Sequence, residues 1–173
     1  MSKVLIVVDY QVDFVNGALG FEGAELLEPI IIDKIEKCRF DGGKVIFTLD
    51  THTEDYLNTA EGKKLPVVHC VDGSEGHGLF GQLSEYVLKD DIVIKKPSFG
   101  SLELVDVLKE NNFDEVELCG LVTDICVVSN AIIAKAALPE SRVVVDSSAC
   151  ASFDKSAHEA ALKVMKSVQI DVL

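Results

Sequence analysis

Val4-Leu5-Ile6-Val7-Val8 is an unbroken apolar run that stops at Asp9. A strand with one wet face alternates apolar and polar residues. A continuous β-branched run is instead buried on both faces, as in a parallel sheet covered by helices. With residues 3–9 as the first strand, similar runs occupy 43–49, 92–95, 115–119, 142–146 and 168–172. Helical spacing falls between them, at about 24–40, 101–111, 124–137 and 154–167. In the last of these, Ala157, Ala160, Ala161, Val164, Met165 and Val168 recur at the helical period, and Ser152 or Asp154 can cap it. Strands alternating with helices predict right-handed crossovers around a mostly parallel, doubly wound sheet, a three-layer α/β/α fold. No repeat, low-complexity tract or linker interrupts the chain, so residues 1–173 read as one domain.

The net charge of −13 argues against nucleic acid and anionic membrane as partners. It is compatible with a small neutral or cationic substrate. No apolar stretch reaches membrane-spanning length, and Met1-Ser2-Lys3 leads into the first strand without a signal-peptide pattern, so a cytoplasmic location is expected. The five cysteines are odd in number and form no CxxC pair, so disulfides are not expected. Cys119 reads as a core residue within a strand, Cys38 as a helix end, and Cys150 as part of a small-residue loop.

Cys126 differs because of what precedes it. The run Val116-Glu117-Leu118-Cys119 leads into Gly120-Leu121-Val122-Thr123-Asp124-Ile125-Cys126. Thr123 or Asp124 reads as a helix N-cap, which puts Cys126 in the first turn. There, unpaired N–H groups and the positive end of the helix dipole favour a thiolate, and the same groups can hold an oxyanion. Asp9 and the pair Lys95-Lys96 also follow strands. In an open parallel sheet such positions converge on one rim, where ligands bind. A carboxylate, a lysine and a thiol gathered there supply a proton acceptor, a thiolate stabiliser and a nucleophile. Spacing alone leaves Lys95 and Lys96 unseparated, since one faces in and the other out.

Residues 50–82 form a long connection that carries His52, His69 and His77. Long connections in compact domains are usually functional. Asp50-x-His52 sets two potential ligands on one side of an extended chain, and Glu61 and His69 can join them. His with carboxylate suits Zn²⁺, Fe²⁺ or Mn²⁺. Phe14 and Phe99, each a short loop away from Asp9 and Lys96, are either core or walls for a flat substrate.

Several blocks together resemble the isochorismatase-like cysteine hydrolases, and within them the nicotinamidase/pyrazinamidase branch. They are Val7-Val8-Asp9-Tyr10-Gln11-Val12-Asp13-Phe14, Asp50-Thr51-His52, His69-Cys70-Val71-Asp72-Gly73-Ser74-Glu75-Gly76, Lys96-Pro97-Ser98-Phe99-Gly100-Ser101 and Gly120 through Val127. The resemblance implies a six-stranded sheet and a catalytic Asp9, Lys96 and Cys126, with Lys96 chosen because Phe99 stands three residues on. It implies a cis peptide at Val122–Thr123 and an oxyanion hole from the N–H groups of Thr123 and Cys126. It also implies a substrate pocket including Phe14, Phe99 and Val122, and one divalent metal on Asp50, His52, Glu61 and His69. Glu61 matches a variant that replaces a histidine expected near Tyr56, and Leu65-Pro66-Val67-Val68 stands where relatives often carry an aromatic wall. The activity implied is hydrolysis of nicotinamide, a step of NAD salvage, by a monomer or a homo-oligomer. The alternatives are another small-amide or carbamoyl hydrolase of the superfamily or, in a different class, a non-enzymatic flavodoxin-like binding module. Tyr10 after Asp9 counts against the last, which wants paired acids there.

Overall fold

The computed structural model describes all residues 1–173. Six strands, β1 (Lys3–Val8), β2 (Lys44–Asp50), β3 (Ile92–Lys96), β4 (Glu115–Leu121), β5 (Arg142–Ala151) and β6 (Asp171–Val172), form one sheet in the order β3-β2-β1-β4-β5-β6. Every pairing is parallel. The order reverses between β1 and β4, and a doubly wound sheet opens its ligand crevice at such a point, beyond the carboxyl ends of the strands. A flavodoxin-like sheet runs 2-1-3-4-5, so the flavodoxin-like alternative does not describe this topology.

The short α1 (Val12–Val15) is followed by α2 (Glu28–Phe40), α3 (Leu102–Asn111), α4 (Val128–Ala137) and α5 (Lys155–Ser167). Successive strand residues point to opposite faces. Val4, Ile6 and Val8 pack with Leu104, Leu108, Ala131, Ala134 and Met165 of α3 to α5. Leu5 and Val7 pack with Ile31 and Ile35 of α2. Both faces are therefore dry, which is why the strands read as continuous apolar runs.

Several boundaries differ from expectation. The helix expected over 24–40 is a 3₁₀ turn at Ala24–Leu27 followed by α2, with Pro29 in the first turn of α2, where its missing N–H costs nothing. β5 runs five residues beyond position 146, to Ala151, because it bulges and then pairs again: Leu118 faces Val145, but Gly120 faces Cys150 and Leu121 faces Ala151. Cys150 is thus a buried strand residue, not a loop residue. β6 keeps only Asp171–Val172, since residues 168–170 complete the turn that ends α5. Asp154, rather than Ser152, caps α5: its Oδ1 accepts from the Ala157 N–H at 3.0 Å.

Candidate active site

At the carboxyl rim, the last residues of β1, β3 and β4 converge. Asp9 follows β1 with a left-handed φ of 45° and is fully buried. Aspartate tolerates that conformation better than most residues, and such strain tends to collect at functional sites. Its N–H donates to the Thr48 carbonyl at 3.1 Å, and its Oδ1 accepts from Thr48 Oγ1 at 2.7 Å. Its Oδ2 lies 2.6 Å from Lys96 Nζ. The structure resolves the two lysines left open by spacing. Lys96 is 1 % exposed and faces the rim crevice, while Lys95 points outward and pairs with Asp72 at 2.6 Å. Lys96 Nζ also donates to the Ser98 carbonyl at 3.0 Å and lies 3.5 Å from Cys126 Sγ.

Cys126 reaches this point differently from the expected capped helix. A cis peptide joins Leu121 to Val122, one bond earlier than the Val122–Thr123 position expected. Thr123–Val127 then form a π-helical turn that leads into α4, with the N–H groups of Ile125 and Val127 both donating to the Val122 carbonyl at 3.2 Å. Neither Thr123 nor Asp124 caps a helix: Val122 stands at the cap without a side-chain bond. The Thr123 hydroxyl is engaged elsewhere, 2.8 Å from Nδ1 of His158 on α5. Gly120 lets the strand end pass close by. It has φ 117°, and a Cβ there would sit 2.1 Å from the Val8 carbonyl oxygen.

Charge is balanced within the buried triplet. Burial raises the Asp9 carboxyl, and the Lys96 ammonium opposes the rise. Burial also pushes the Cys126 thiol well up, the Asp9 charge adds to this, and Lys96 counters both. Burial alone would lower Lys96, but Asp9, Cys126 and Asp50 together hold it above its ordinary value. Lys96 thus offsets part of the cost of burying the Asp9 carboxyl and the Cys126 sulfur side by side.

The second cluster meets the first at Asp50, the last residue of β2, whose Oδ1 lies 3.4 Å from Lys96 Nζ. Its Oδ2 lies 2.9 Å from His52 Nε2 and 3.4 Å from His69 Nε2. Glu61 Oε1 sits 3.7 Å from His52 and 3.8 Å from His69. The four ligand atoms of Asp50, His52, Glu61 and His69 all fall within 4.8 Å of one another. His77 stays outside the cluster and bonds Thr51 Oγ1 at 2.8 Å.

The donor set fits a divalent metal. His69 Nδ1 contacts the Val67 carbonyl at 2.7 Å. A carbonyl only accepts, so Nδ1 carries the hydrogen and Nε2 keeps its lone pair for a metal. Burial would raise the Asp50 carboxyl, yet the two histidines and Lys96 outweigh it and hold the group well below the usual carboxylate range. Burial and the Asp50 charge raise Glu61. Two carboxylates so close call for a cation between them. Tyr56, near which relatives often carry a histidine, packs its ring against His52 and His69 at 4.7 and 4.9 Å.

Buried side chains hold the long connection down. Gln11 Nε2 donates to the carbonyls of Asp50 and His77 at 2.9 and 2.8 Å, and its Oε1 accepts from the Asp50 N–H at 2.8 Å. Asp13 Oδ2 accepts from the Cys70 N–H at 2.7 Å, next to His69. Neither residue stood out as functional in the sequence. Their place in the turn after β1, the first strand to reach the rim, was the available signal.

A cleft of about 500 Å³ opens over both clusters. Phe14, Phe99 and Val122 line it, together with Cys126, Asp50, Glu61 and His69. Phe14 stacks edge-on against His69 at 5.5 Å. Leu65, not Pro66, faces the cleft where an aromatic wall was considered, and Leu19, Ile125 and Phe153 complete the apolar lining. A more open depression of about 630 Å³ reaches His52 and Glu61 from the other side of Leu65 and Phe99.

Fold and site together define an isochorismatase-like hydrolase of the doubly wound α/β class. The chain belongs to the isochorismatase family: the isochorismatase domain model matches residues 3–173. It is similar to the nicotinamidase PncA from Bacillus subtilis, whose crystal structure shares 32% identity at a TM-score of 0.87, with 99% of each chain covered. The zinc complex of the pyrazinamidase of Pyrococcus horikoshii shares 26% identity at a TM-score of 0.86, covering 99% of this chain and 98% of that one. The nicotinamidase/pyrazinamidase of Mycobacterium tuberculosis is 27% identical over 187 residues, covering 99% of this chain and 98% of its own. No helix is long and apolar enough to cross a membrane.

Proposed function

We propose that this protein is an amidohydrolase that cleaves a small aromatic amide, with nicotinamide giving nicotinate and ammonia as the best candidate. The observation that carries this reading is Lys96, which touches Asp9, Asp50 and Cys126 at once and so joins a thiol site to a metal-type site in one cleft. The named relatives, nicotinamidases and pyrazinamidases at about a quarter to a third identity, support it.

Asp9 takes the proton from Cys126 Sγ as the sulfur attacks the amide carbon, and Lys96 holds the developing thiolate. The N–H groups of Thr123 and Cys126 receive the oxyanion. Asp9 returns the proton to the departing ammonia, leaving a thioester on Cys126. Water then attacks the thioester with Asp9 as base, releasing the acid and restoring the thiol. Asp50, His52, Glu61 and His69 would hold a divalent ion, Zn²⁺, Fe²⁺ or Mn²⁺, which when bound would supply a Lewis acid for a pyridine nitrogen. Phe14 and Phe99 flank the ring.

A second reading, another small-amide or carbamoyl hydrolase, draws support from Leu65, since an aliphatic wall offers less face for stacking than an aromatic one. The decisive measurement is kcat/KM for nicotinamide against benzamide, which lacks the ring nitrogen, on metal-loaded protein. A preference of roughly a hundredfold or more for nicotinamide is expected. Equal values would favour the second reading. Chelation is expected to abolish binding of the ring amide while leaving the fold intact, and elemental analysis identifies the metal.

A further inference from the structure

The nucleophile turn leads into α4, whose buried residues are Ala131, Ala134, Ala137 and one polar residue, Asn130. Asn130 is fully buried. A primary amide in such surroundings is costly unless its donors and acceptor are paired. Here they are paired. Its Oδ1 accepts from the Ser101 N–H at 3.0 Å, and its Nδ2 donates to the carbonyls of Phe99 at 3.0 Å and Cys126 at 2.8 Å. A backbone N–H only donates and a carbonyl only accepts, so these partners fix which way the amide faces.

All three partners belong to segments that carry site residues. Cys126 is the candidate nucleophile, and Asn130 stands four residues after it, about one helical turn on. Phe99 and Ser101 lie in the connection from β3, which ends at Lys96, to α3. Ser101 caps α3, its Oγ accepting from the Leu104 N–H at 3.2 Å. Gly100 rests against α4 itself: a Cβ there would come within 2.5 Å of Ile133 Cδ1. Beside Phe99, the Ser98 carbonyl accepts from Lys96 Nζ at 3.0 Å. One amide thus holds backbone on both sides of the 3.5 Å contact between Lys96 Nζ and Cys126 Sγ. It also holds the main chain of Phe99, whose ring lines the cleft.

We propose that Asn130 is a positioning residue of this site. By bonding Cys126 to the backbone of residues 99–101, it sets the spacing of thiol and ammonium and seats the Phe99 ring as a wall for the substrate. The substrate half rests on the amidase reading above, whereas the thiol half rests only on the bonds around Cys126 and Lys96.

The test uses Asn130→Leu and Asn130→Thr. Leucine keeps the size and loses every bond. A threonine hydroxyl in a helix can bond the carbonyl four residues back, here that of Cys126, but does not replace the bonds to residues 99 and 101. Two measurements are made well below the unfolding temperature. One is alkylation of Cys126 against pH, read by peptide mass with Cys38 as reference. The other is KM and kcat for nicotinamide on metal-loaded protein. Asn130→Thr is expected to keep the alkylation profile and to raise KM about tenfold with kcat little changed, because the Phe99 carbonyl and Ser101 N–H, left unpaired, turn to water and the wall shifts. Asn130→Leu is expected to raise KM likewise, to lower kcat, and to move the alkylation midpoint up by about one pH unit as Cys126 and Lys96 drift apart. A merely structural amide would lower the unfolding midpoint of both variants and leave KM and the alkylation profile as in wild type, and that result overturns the inference. Should Asn130→Leu fail to fold, an unchanged KM in Asn130→Thr overturns it alone. If wild type does not hydrolyse nicotinamide, the amidase reading falls, and the alkylation profile of Asn130→Leu decides the thiol half independently.

Discussion

Two clusters meet in one cleft, and they are held in place by different means. Asp9, Lys96 and Cys126 stand at or just beyond the ends of β1, β3 and β4, set by parallel ladders that run the length of the sheet. Of the metal-type ligands, only Asp50 ends a strand. His52, Glu61 and His69 ride on the connection between β2 and β3, which holds only two short 3₁₀ turns, at Tyr56–Asn58 and Gly81–Tyr86. That connection is tied down by scattered backbone bonds, such as those from Val12 and Asp13 to the Gly78 and Gly76 carbonyls, and by individual side chains, Gln11, Asp13 and Tyr56. A ladder spreads its hold over many backbone bonds, whereas a loop pinned by a few side chains depends on each of them. Substitutions should therefore separate the thiol chemistry from metal binding.

The largest effects are expected at the strand-end cluster. Cys126→Ala should cut ammonia release by about 10⁴-fold or more while the unfolding midpoint stays close to wild type. Residual turnover near the wild-type rate would mean that another group attacks. Asp9→Asn should lower turnover by about 10²–10⁴-fold. It should also make the thiol more acidic: Cys126 is raised first by burial and then by the Asp9 charge, and removing that charge leaves Lys96 opposite the sulfur. Alkylation of Cys126 at neutral pH should speed up in the variant even as activity disappears. An unmoved alkylation profile would show that Asp9 does not act on the sulfur.

Lys96→Met tests whether the two clusters share one charge balance. It leaves Asp9 and Asp50 buried without their common cation, at a cost of about 3–5 kcal/mol in urea unfolding at neutral pH. The sign of the pH dependence follows from Asp9, whose carboxyl is already raised in the folded state. A raised folded value favours the native state below the ordinary carboxylate range near pH 4 and loses that advantage as pH rises through it. The deficit of the variant should therefore be greatest at neutral pH and shrink on acidification. A constant deficit across that range would uncouple Lys96 from the carboxylates.

Gln11→Met removes the pin on Asp50 without touching a ligand. Metal affinity should fall by about 10–100-fold, read by competition with a chelator well below the unfolding temperature. Unchanged affinity would mean that the strand end alone positions Asp50. The smallest effect is expected at the other end of the same strands. There Lys34 on α2 bridges Asp146 and, at 2.7 Å, Glu117. Lys34→Ala should cost about 1 kcal/mol at pH 7 with turnover unchanged. Burial would raise Asp146, but the bond and charge of Lys34 together with the two bonds from Ser148 outweigh it and keep the group below its ordinary value. Its contribution is present above the unfolded value near pH 4 and is lost as pH falls through that region, so wild type and variant should converge in acid. A difference that persists at low pH would locate the role of Lys34 in packing rather than charge.

The strand-end cluster was the more legible of the two in the sequence. Apolar runs ending at Asp9, at the Lys95-Lys96 pair and before Cys126 mark rim positions, because a sheet buried on both faces must be apolar until it reaches water. The Asp50-x-His52 pair was legible for the same reason, since it sits at a strand end. Glu61 and His69 were named as possible partners, but the sequence could not close the ring, as no periodicity places residues nine and seventeen positions beyond His52 beside it. Phe153 was passed over as a pocket residue, and Gln11 and Asp13 as supports, because each acts through contacts with distant parts of the chain.

Local rules in the sequence thus determined the strands and helices, their alternation, a cap at Ser152 or Asp154 and the rim as the place where the candidate site residues gather. All of these depend on near neighbours, on period two or period 3.6, or on the simple need to keep apolar residues dry. Tertiary structure alone decided the rest. Period two says that Lys95 and Lys96 face opposite ways, but only pairing with β2 and the carboxylates behind it turns Lys96 inward. Thr123 was a plausible cap until His158, thirty-five residues on, engaged its hydroxyl. The β5 bulge, which carries Phe153 to the cleft, depends on pairing with β4 more than twenty residues earlier. Choices of that kind are made by long-range contacts, whose energies appear only when the chain has closed on itself.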